Sequence, residues 1–478
     1  MPRWPYLLPF CVALAACGED EATPDPVAEV PGVPAEGPVS LVGGKIDGVS
    51  SPSVDDPLPA DANLDVAFEA LFAPDDPNFA LEMALIDRVI AARAADADAP
   101  TAEGENPYRI RYACYNISHP DIYARLADAA DKGVDVQILI EAHQLDPEKP
   151  WNQIDEYLAG RGFEVAFDRD ALSKDERVTY DLIGVKTSGL MHLKTRLFET
   201  PAGRTLLTGS QNPGSSALLN DETLHLINDP TLTAKYAAHY DRQLAGEGAA
   251  NSWDDAAAVN VLFTPAKSGP RAGTQLLRWI AEEEEQILLA VFSLRDVRAA
   301  GVDRSLVELL GDKAKAGVPV YVITDRKQSD GVDAYGNRMY RDDDTEDRLR
   351  RAGVHVYEGI NRANDFTAMH QKVAILGRRR VRVVADAANW SYSALGSDRR
   401  VAKNTESMLF IDSARLDDGA TGRRYLGQWL RVLKRYAADS ARDEGEPTFD
   451  KVYAALTAEG WPTVPVGFVA FDTETAWG

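Results

Sequence analysis

The chain has 478 residues, 45% of them apolar and 26% charged, a composition that suits a globular protein with room for two domains of ordinary size. Its formal charge is −24, from 75 acidic against 51 basic residues, and such a surface repels polyanions and disfavours a nucleic-acid partner. Three cysteines, two of them within the first 17 residues, leave Cys114 alone in the body; this excludes an intrachain disulfide framework, and the apolar surroundings of Cys114 read as inert core.

Residues 1–16 carry one charge, Arg3, followed by an apolar stretch from Trp4 to Ala16 that is too short to span a bilayer as a mature helix. This is the pattern of an export segment. Its end, Leu14-Ala15-Ala16-Cys17, looks like the lipobox of bacterial lipoproteins. That resemblance implies cleavage before Cys17, lipidation of Cys17 and anchoring to a membrane by its acyl chains. With Gly18 next and no Asp there, it implies the outer membrane or cell surface in a Gram-negative source. Residues 17–62 are rich in Pro, Gly, Ala, Asp and Glu, with too few large apolar side chains to offset the entropy of ordering; they read as a flexible tether.

A first lobe is expected over 63–248. Apolar spacing predicts a helix over 79–95, a buried strand over 108–117, a helix over 120–132 ended at Gly133, and a strand over 134–140. A helix over 151–160 and a short strand at 163–165 follow. The alternation implies right-handed crossovers and a mixed, largely parallel sheet flanked by helices. A second lobe, 249–444, repeats the order: Gln286 to Leu294 answers Arg109 to Ile117, and Gly317 to Asp325 answers Gly133 to Glu141. Helical stretches at 230–244 and 421–438 close the lobes. The acidic run Glu282 to Glu285 reads as the solvated end of a helix. A tail, 445–478, contains a candidate strand at 464–472.

The repeat extends to the residues that carry chemistry. Met191-His192-Leu193-Lys194 precedes a strand, a turn, a strand, Gly209-Ser210-Gln211-Asn212 and Asn220-Asp221-Glu222. Met369-His370-Gln371-Lys372 precedes the same train, ending in Asp386-Ala387-Ala388-Asn389-Trp390 and Asn404-Thr405-Glu406. A phosphodiester resists attack because its charged oxygens repel nucleophiles. Two histidines can divide the work, one attacking as the neutral imidazole and the other protonating the leaving oxygen. Lys194 and Lys372 supply fixed positive charge, Asn212 and Asn389 donate to the same oxygens, and Glu222 and Glu406 orient and stabilise the imidazoles. This set requires no metal and no cofactor.

The doubled pattern resembles the phospholipase D superfamily, over roughly residues 65–440. The resemblance implies two similar α/β lobes with the active site between them, a phosphohistidine intermediate, His192 as nucleophile and His370 as general acid. From the residues alone, those two roles are interchangeable. Two departures stand out: the Asp that usually follows the Lys by five residues is replaced by Glu199 and Gly377, and the second Gly-Ser is replaced by Asp386-Ala387. Ser210, Trp390 and Arg399 are expected to touch substrate; the arginines at 378–382 with Arg399, Arg400 and Lys403 read as solvated turns or, in the sharper reading, as a basic lip for phosphate headgroups. The charge and the lipid anchor favour phospholipid cleavage at the headgroup phosphodiester by a monomeric lipoprotein. The alternatives are an exported metal-independent endonuclease and a phosphate- or lipid-binding protein whose second lobe has lost function.

Overall fold

The computed structural model describes Leu58 and residues 62–457, apart from 97, 101–105, 146–148, 150, 151, 333–337, 339–341 and 364–366. The leader, Cys17, all but the end of the tether, and the candidate strand at 464–472 lie outside the described residues.

Two sheets of like design face each other. The first is built from β1 (Phe68–Ala73), β2 (Arg109–Cys114), β3 (Asp135–Glu141), β4 (Val165–Ala166), β5 (Leu182–Val185), β6 (Lys194–Thr200), β7 (Gly203–Gly209) and β8 (Glu222–Ile227), in the order β1-β8-β7-β6-β2-β3-β5-β4. After β9 (Ala249–Ala250), the second uses β10 (Val259–Thr264), then, past β11 (Ala266–Ser268), β12 (Ile287–Val291), β13 (Val320–Asp325), β14 (His355–Gly359), β15 (Lys372–Leu376), β16 (Arg382–Asp386) and β17 (Glu406–Asp412). Its order, β10-β17-β16-β15-β12-β13-β14, is that of the first sheet without its far edge strand.

Both sheets are mixed. Parallel pairing is confined to β2-β3-β5-β4 and β12-β13-β14, and the other pairs are antiparallel, so the parallel share is smaller than the strand–helix alternation implied. The reason lies in the motif halves. Each His-x-Lys strand turns back on the next through a short loop, which permits only antiparallel neighbours. β1 and β10, which extend the sheets beyond those hairpins, pair antiparallel with β8 and β17.

Helices α1 (Asn78–Ala95), α2 (Pro120–Asp131) and α3 (Ile154–Gly160) cover the outer face of the first sheet, and the predicted spans at 79–95 and 120–132 are found within a residue or so. Between the lobes runs α4 (Pro230–Leu244). The outer face of the second sheet carries α5 (Ala272–Glu282), α6 (Leu306–Lys315), the short α7 (Arg326–Ser329) at the end of β13, and α8 (Thr345–Arg351). After α9 (Tyr392–Leu395) and α10 (Ser413–Asp417) comes α11 (Ala420–Asp443), then α12 (Phe449–Thr457) at the start of the tail. One apolar cluster draws on the inner faces of both sheets with Tyr236 and Tyr240 of α4 and Trp429 and Leu433 of α11. Burial of this shared layer joins the lobes. No helix among the described residues is long and apolar enough to cross a membrane.

Candidate active site

The chain reversals bring the motif residues to one end of each sheet. In the first, Lys194 opens β6 opposite Cys114 at the end of β2, while Gly209 closes β7 and Glu222 opens β8. In the second, Lys372 opens β15 opposite Val291 at the end of β12, Asp386 closes β16 and Glu406 opens β17. These ends meet across an approximate two-fold axis.

The junction is made by main chain. His192 N donates to Thr405 O at 2.8 Å and Thr405 N to Leu190 O at 2.7 Å; His370 N donates to Asp221 O at 3.0 Å and Asp221 N to Ala368 O at 3.1 Å. Asn404 Oδ1 accepts from Leu190 N and Asn220 Oδ1 from Ala368 N. Met191 N is held by Glu141 at the end of β3, at 2.6 Å, and Met369 N by Asp325 at the end of β13, at 3.1 Å. The two carboxylates were aligned by the sequence repeat, which gave no hint of this role.

The consequence is an exchange of partners. His192 Nδ1 lies 2.7 Å from Glu406 of the other lobe, and His370 Nδ1 lies 2.8 Å from Glu222. Each of these glutamates therefore orients the motif histidine of the opposite lobe, and neither lobe pairs its own motif histidine with its own motif glutamate. Lys194 and Lys372 are buried and donate to the carbonyls of His192 and His370 at 2.8 and 2.6 Å. Tyr115, just past β2, tilts against His192 with centroids 5.1 Å apart; Phe292, just past β12, meets His370 edge-on at 4.6 Å. These two aromatics fix ring orientation, and only their matching places in the repeat could have flagged them.

Asn389 is buried with neither side-chain atom hydrogen-bonded, and Asn212 Oδ1 has no partner either. A buried amide of this kind is costly unless something binds it. Both asparagines follow strands that end at the centre, so they can serve an anionic oxygen there.

The two pairs differ in charge. Burial pushes Glu222 up, but His370, Lys372 and the Ser210 hydroxyl hold it below the usual carboxylate range. Burial pushes Glu406 up to about 8; Lys194, Asn404 and Lys372 offset this only in part, and Asp386 adds to it. Burial also drives both imidazoles down, with Lys194, Lys372 and His370 adding to the effect on His192. His370 is pushed down to about 4, burial and Lys372 outweighing Glu222.

The residues expected to touch substrate are dispersed. Ser210 is buried and serves Glu222 and Thr223 N. Trp390 is fully buried in the apolar cluster of lobe 2, bridged through its backbone to the Leu294 segment. Arg399 is exposed, with its guanidinium beside Asp398, on a loop whose Lys403 carbonyl accepts from Ser188 Oγ. Residues 378–382 form no basic lip at the centre. That turn joins the far ends of β15 and β16, where Arg382 lies opposite Leu376 and Asp412, and its charges are paired with Glu282, Glu283, Glu285 and Asp412. Glu283 is accordingly buried, where the sequence suggested a solvated run.

The family departures are compensated. Glu199 binds Arg111 at 2.7 Å and pairs with Arg204. Gly377 turns with φ +87°, and Glu285 from the α5–β12 corner accepts from Arg378 N and Arg379 N. Asp386, with φ +116°, sits in a region that L side chains rarely adopt, at a cost on the order of 1–3 kcal/mol. It is buried and accepts from Thr208 Oγ1 at 2.9 Å and Tyr236 OH at 2.6 Å, both in the other lobe. At the matching Gly209, an added Cβ would lie 2.1 Å from Thr223 O.

His143 pairs with Glu141, the carboxylate that holds Met191 N, and the remaining four histidines stand apart from the centre. His225 bridges Thr208 O and Tyr425 OH, His239 stacks on Phe263, His119 caps α2, and His355 pairs with Glu446. Cys114 is buried, and burial pushes its thiol up to about 12, as befits an inert core residue.

Two mixed α/β halves that exchange His–Glu pairs around two lysines define a class of two-lobed proteins in which a doubled His-x-Lys motif makes one centre. The chain belongs to the phospholipase D superfamily: the family described as "Cardiolipin synthase, PLD-like domain" matches residues 105–244 and 276–421, more than half of its length. No match was found among the curated proteins compared. Among solved structures, the chain is similar to phosphatidylserine synthase of Haemophilus influenzae Rd KW20, with 14% identity over 82% of this chain and 94% of that one and a TM-score of 0.48. It is similar to polyphosphate kinase of Porphyromonas gingivalis, with 16% identity over 82% of this chain but 55% of that one, TM-score 0.46. Nuc of Salmonella typhimurium, a phospholipase D family member, matches 37% of this chain and 95% of its own at 18% identity, TM-score 0.27.

Proposed function

We propose that the protein is a phosphodiesterase that cleaves phospholipid at the headgroup side of phosphorus, with His192 as nucleophile and His370 as proton donor. The observation that carries the reading is the exchanged pair of His–Glu contacts around two buried lysines and the unpartnered Asn389 amide. An entering phosphodiester anion raises the proton affinity of both imidazoles. His370 gains most, because ionised Glu222 stands behind it.

His192 Nε2 then attacks phosphorus. A P–N bond forms, the P–O bond to the headgroup alcohol breaks, and the departing oxygen takes the proton from His370 Nε2. His370, now neutral, accepts a proton from water or an acceptor alcohol. That oxygen attacks phosphorus, the P–N bond breaks, and its electron pair returns to His192. Lys194, Lys372, Asn212 and Asn389 neutralise the non-bridging oxygens throughout. Hydrolysis and headgroup exchange thus share one intermediate.

Three features support a lipid substrate: the −24 charge, the family description that names a cardiolipin synthase, and the lipobox-like end of the leader with Cys17 as the anchor. We infer an exported, envelope-attached, monomeric lipoprotein on the same basis.

Release of choline or ethanolamine from mixed micelles, with EDTA present, tests the reading. Wild type should release headgroup, and His192→Ala and His370→Ala should each fall at least ~10²-fold. Nicking of plasmid at low salt without headgroup release would replace it with an endonuclease; silence in both assays would leave a binding protein.

A further inference from the structure

The dipeptide that follows the second motif strand differs from its counterpart in the first. In lobe 1, Gly209 closes β7 and Ser210 hydrogen-bonds Glu222. In lobe 2, Ala387 has no hydroxyl to offer Glu406, and the position of Gly209 is taken by a buried carboxylate, Asp386. The strained backbone of Asp386 and its two bonds to lobe 1 argue against simple decay of the motif: burial pushes its carboxyl up, and Tyr236 OH and Thr208 Oγ1, which both donate to it, and Lys194 work against that rise.

We propose that Asp386, together with the loss of a hydroxyl at Ala387, is a positioning device that makes the two His–Glu pairs inequivalent, and that this inequivalence assigns attack to His192 and proton donation to His370. The proposal rests on the phosphodiesterase reading and deepens it. In lobe 1 the glutamate has a hydroxyl donor and the Asn220 amide; in lobe 2 it has the Asn404 amide alone and an anion near it.

The charged groups facing this region are few. Glu406 faces His192, Lys194, Lys372 and Asp386; Asp386 faces Lys194, Tyr236 and Tyr425. The two lysines act on both pairs. The Asp386 charge and the Ser210 hydroxyl each act on one, and both push in the same sense: Glu222 toward the anion, Glu406 toward the acid. An imidazole whose Nδ1–H is accepted by the carbonyl oxygen of a neutral carboxyl stays neutral, with the Nε2 lone pair free to attack. One backed by a carboxylate keeps its proton when phosphate arrives.

The test restores the lobe 1 dipeptide in lobe 2. Full-length protein labelled with ¹⁵N-histidine is titrated by NMR as wild type, as Asp386→Gly/Ala387→Ser, and as Asp386→Asn, with ring signals assigned through His192→Gln and His370→Gln. In wild type His370 should take its proton at higher pH than His192. In the double variant Glu406 gains a donor and loses a neighbouring anion, so it ionises, and at 2.7 Å from the ring it outweighs the loss of the Asp386 charge. The His192 midpoint should rise by about one pH unit, while that of His370 moves little. Asp386→Asn, nearly isosteric, should shift His192 in the same direction by less.

Unchanged order and spacing of the two midpoints in folded variants, with only a lower Tm, would overturn the proposal, as would equal shifts of both histidines. The titration is read without substrate. A protein that cleaves no diester therefore defeats the catalytic reading through the micelle assay, and the histidine midpoints decide this proposal separately.

Discussion

The two lobes carry the same motif on the same strands, yet their glutamates stand in different conditions. Glu222 has a serine hydroxyl, an asparagine amide and His370; Glu406 has an asparagine amide, His192 and the nearby Asp386 carboxylate. In a symmetric pair of histidines, only the orientation of the bound diester would decide which attacks and which donates the proton. The difference teaches that the fold supplies the symmetry and a few side chains at the strand ends remove it.

Removing each histidine tests the division most severely. On a phospholipid, His192→Ala and His370→Ala should both lose at least ~10²-fold, since attack and proton transfer are each required. On bis(p-nitrophenyl) phosphate, whose leaving group departs without a proton, His370→Ala should release p-nitrophenolate in the first turnover at least ten times faster than His192→Ala. Equal losses on the activated diester would make the halves equivalent.

The glutamates come next. Glu222→Gln removes an ionised partner of the acid and should cost about 10²-fold in kcat, whereas Glu406→Gln replaces a carboxyl that already favours its neutral form and should cost about tenfold or less. Steady-state kinetics on one substrate decides this. Ser210→Ala, which gives lobe 1 the side chain of lobe 2, should fall between wild type and Glu222→Gln.

The smallest effect is on stability. Glu406 is raised to about 8 in the folded protein, so from the ordinary glutamate range up to about 8 the native state holds a proton that the unfolded chain releases. Its contribution is fully present below that range and is lost as pH rises through 8. The Tm difference between wild type and Glu406→Gln should therefore move against wild type between pH 5 and 9, by a few °C at most. A difference independent of pH would mean that Glu406 is ionised throughout.

Much of this was legible in the sequence because it depends on residue identity and local order. The repeat of His, Lys, Asn and Glu was explicit, and apolar spacing predicted at 79–95 the helix found at Asn78–Ala95. What escaped was decided between distant elements. The motifs do not say that His192 faces Glu406 instead of Glu222, because that choice is made by main-chain bridges such as His192 N to Thr405 O. Trp390 follows Asn389 directly, but the turn after β16 sends it into the core. The arginines at 378–382 follow the motif closely in sequence, yet a five-residue strand carries them to the opposite end of the sheet. In sequence Asp386 is only a replaced glycine, because its partners, Thr208 and Tyr236, lie in the other lobe.

The division of labour is tested most directly by trapping the intermediate. His370→Ala lacks the base that activates water, so a p-nitrophenyl diester should load the enzyme faster than it is cleared. Quenching at alkaline pH, where a phosphohistidine survives, followed by peptide mass analysis should find the phosphoryl adduct on the peptide carrying His192. An adduct on His370 in the reciprocal variant His192→Ala, or turnover with no adduct on either peptide, would contradict the account.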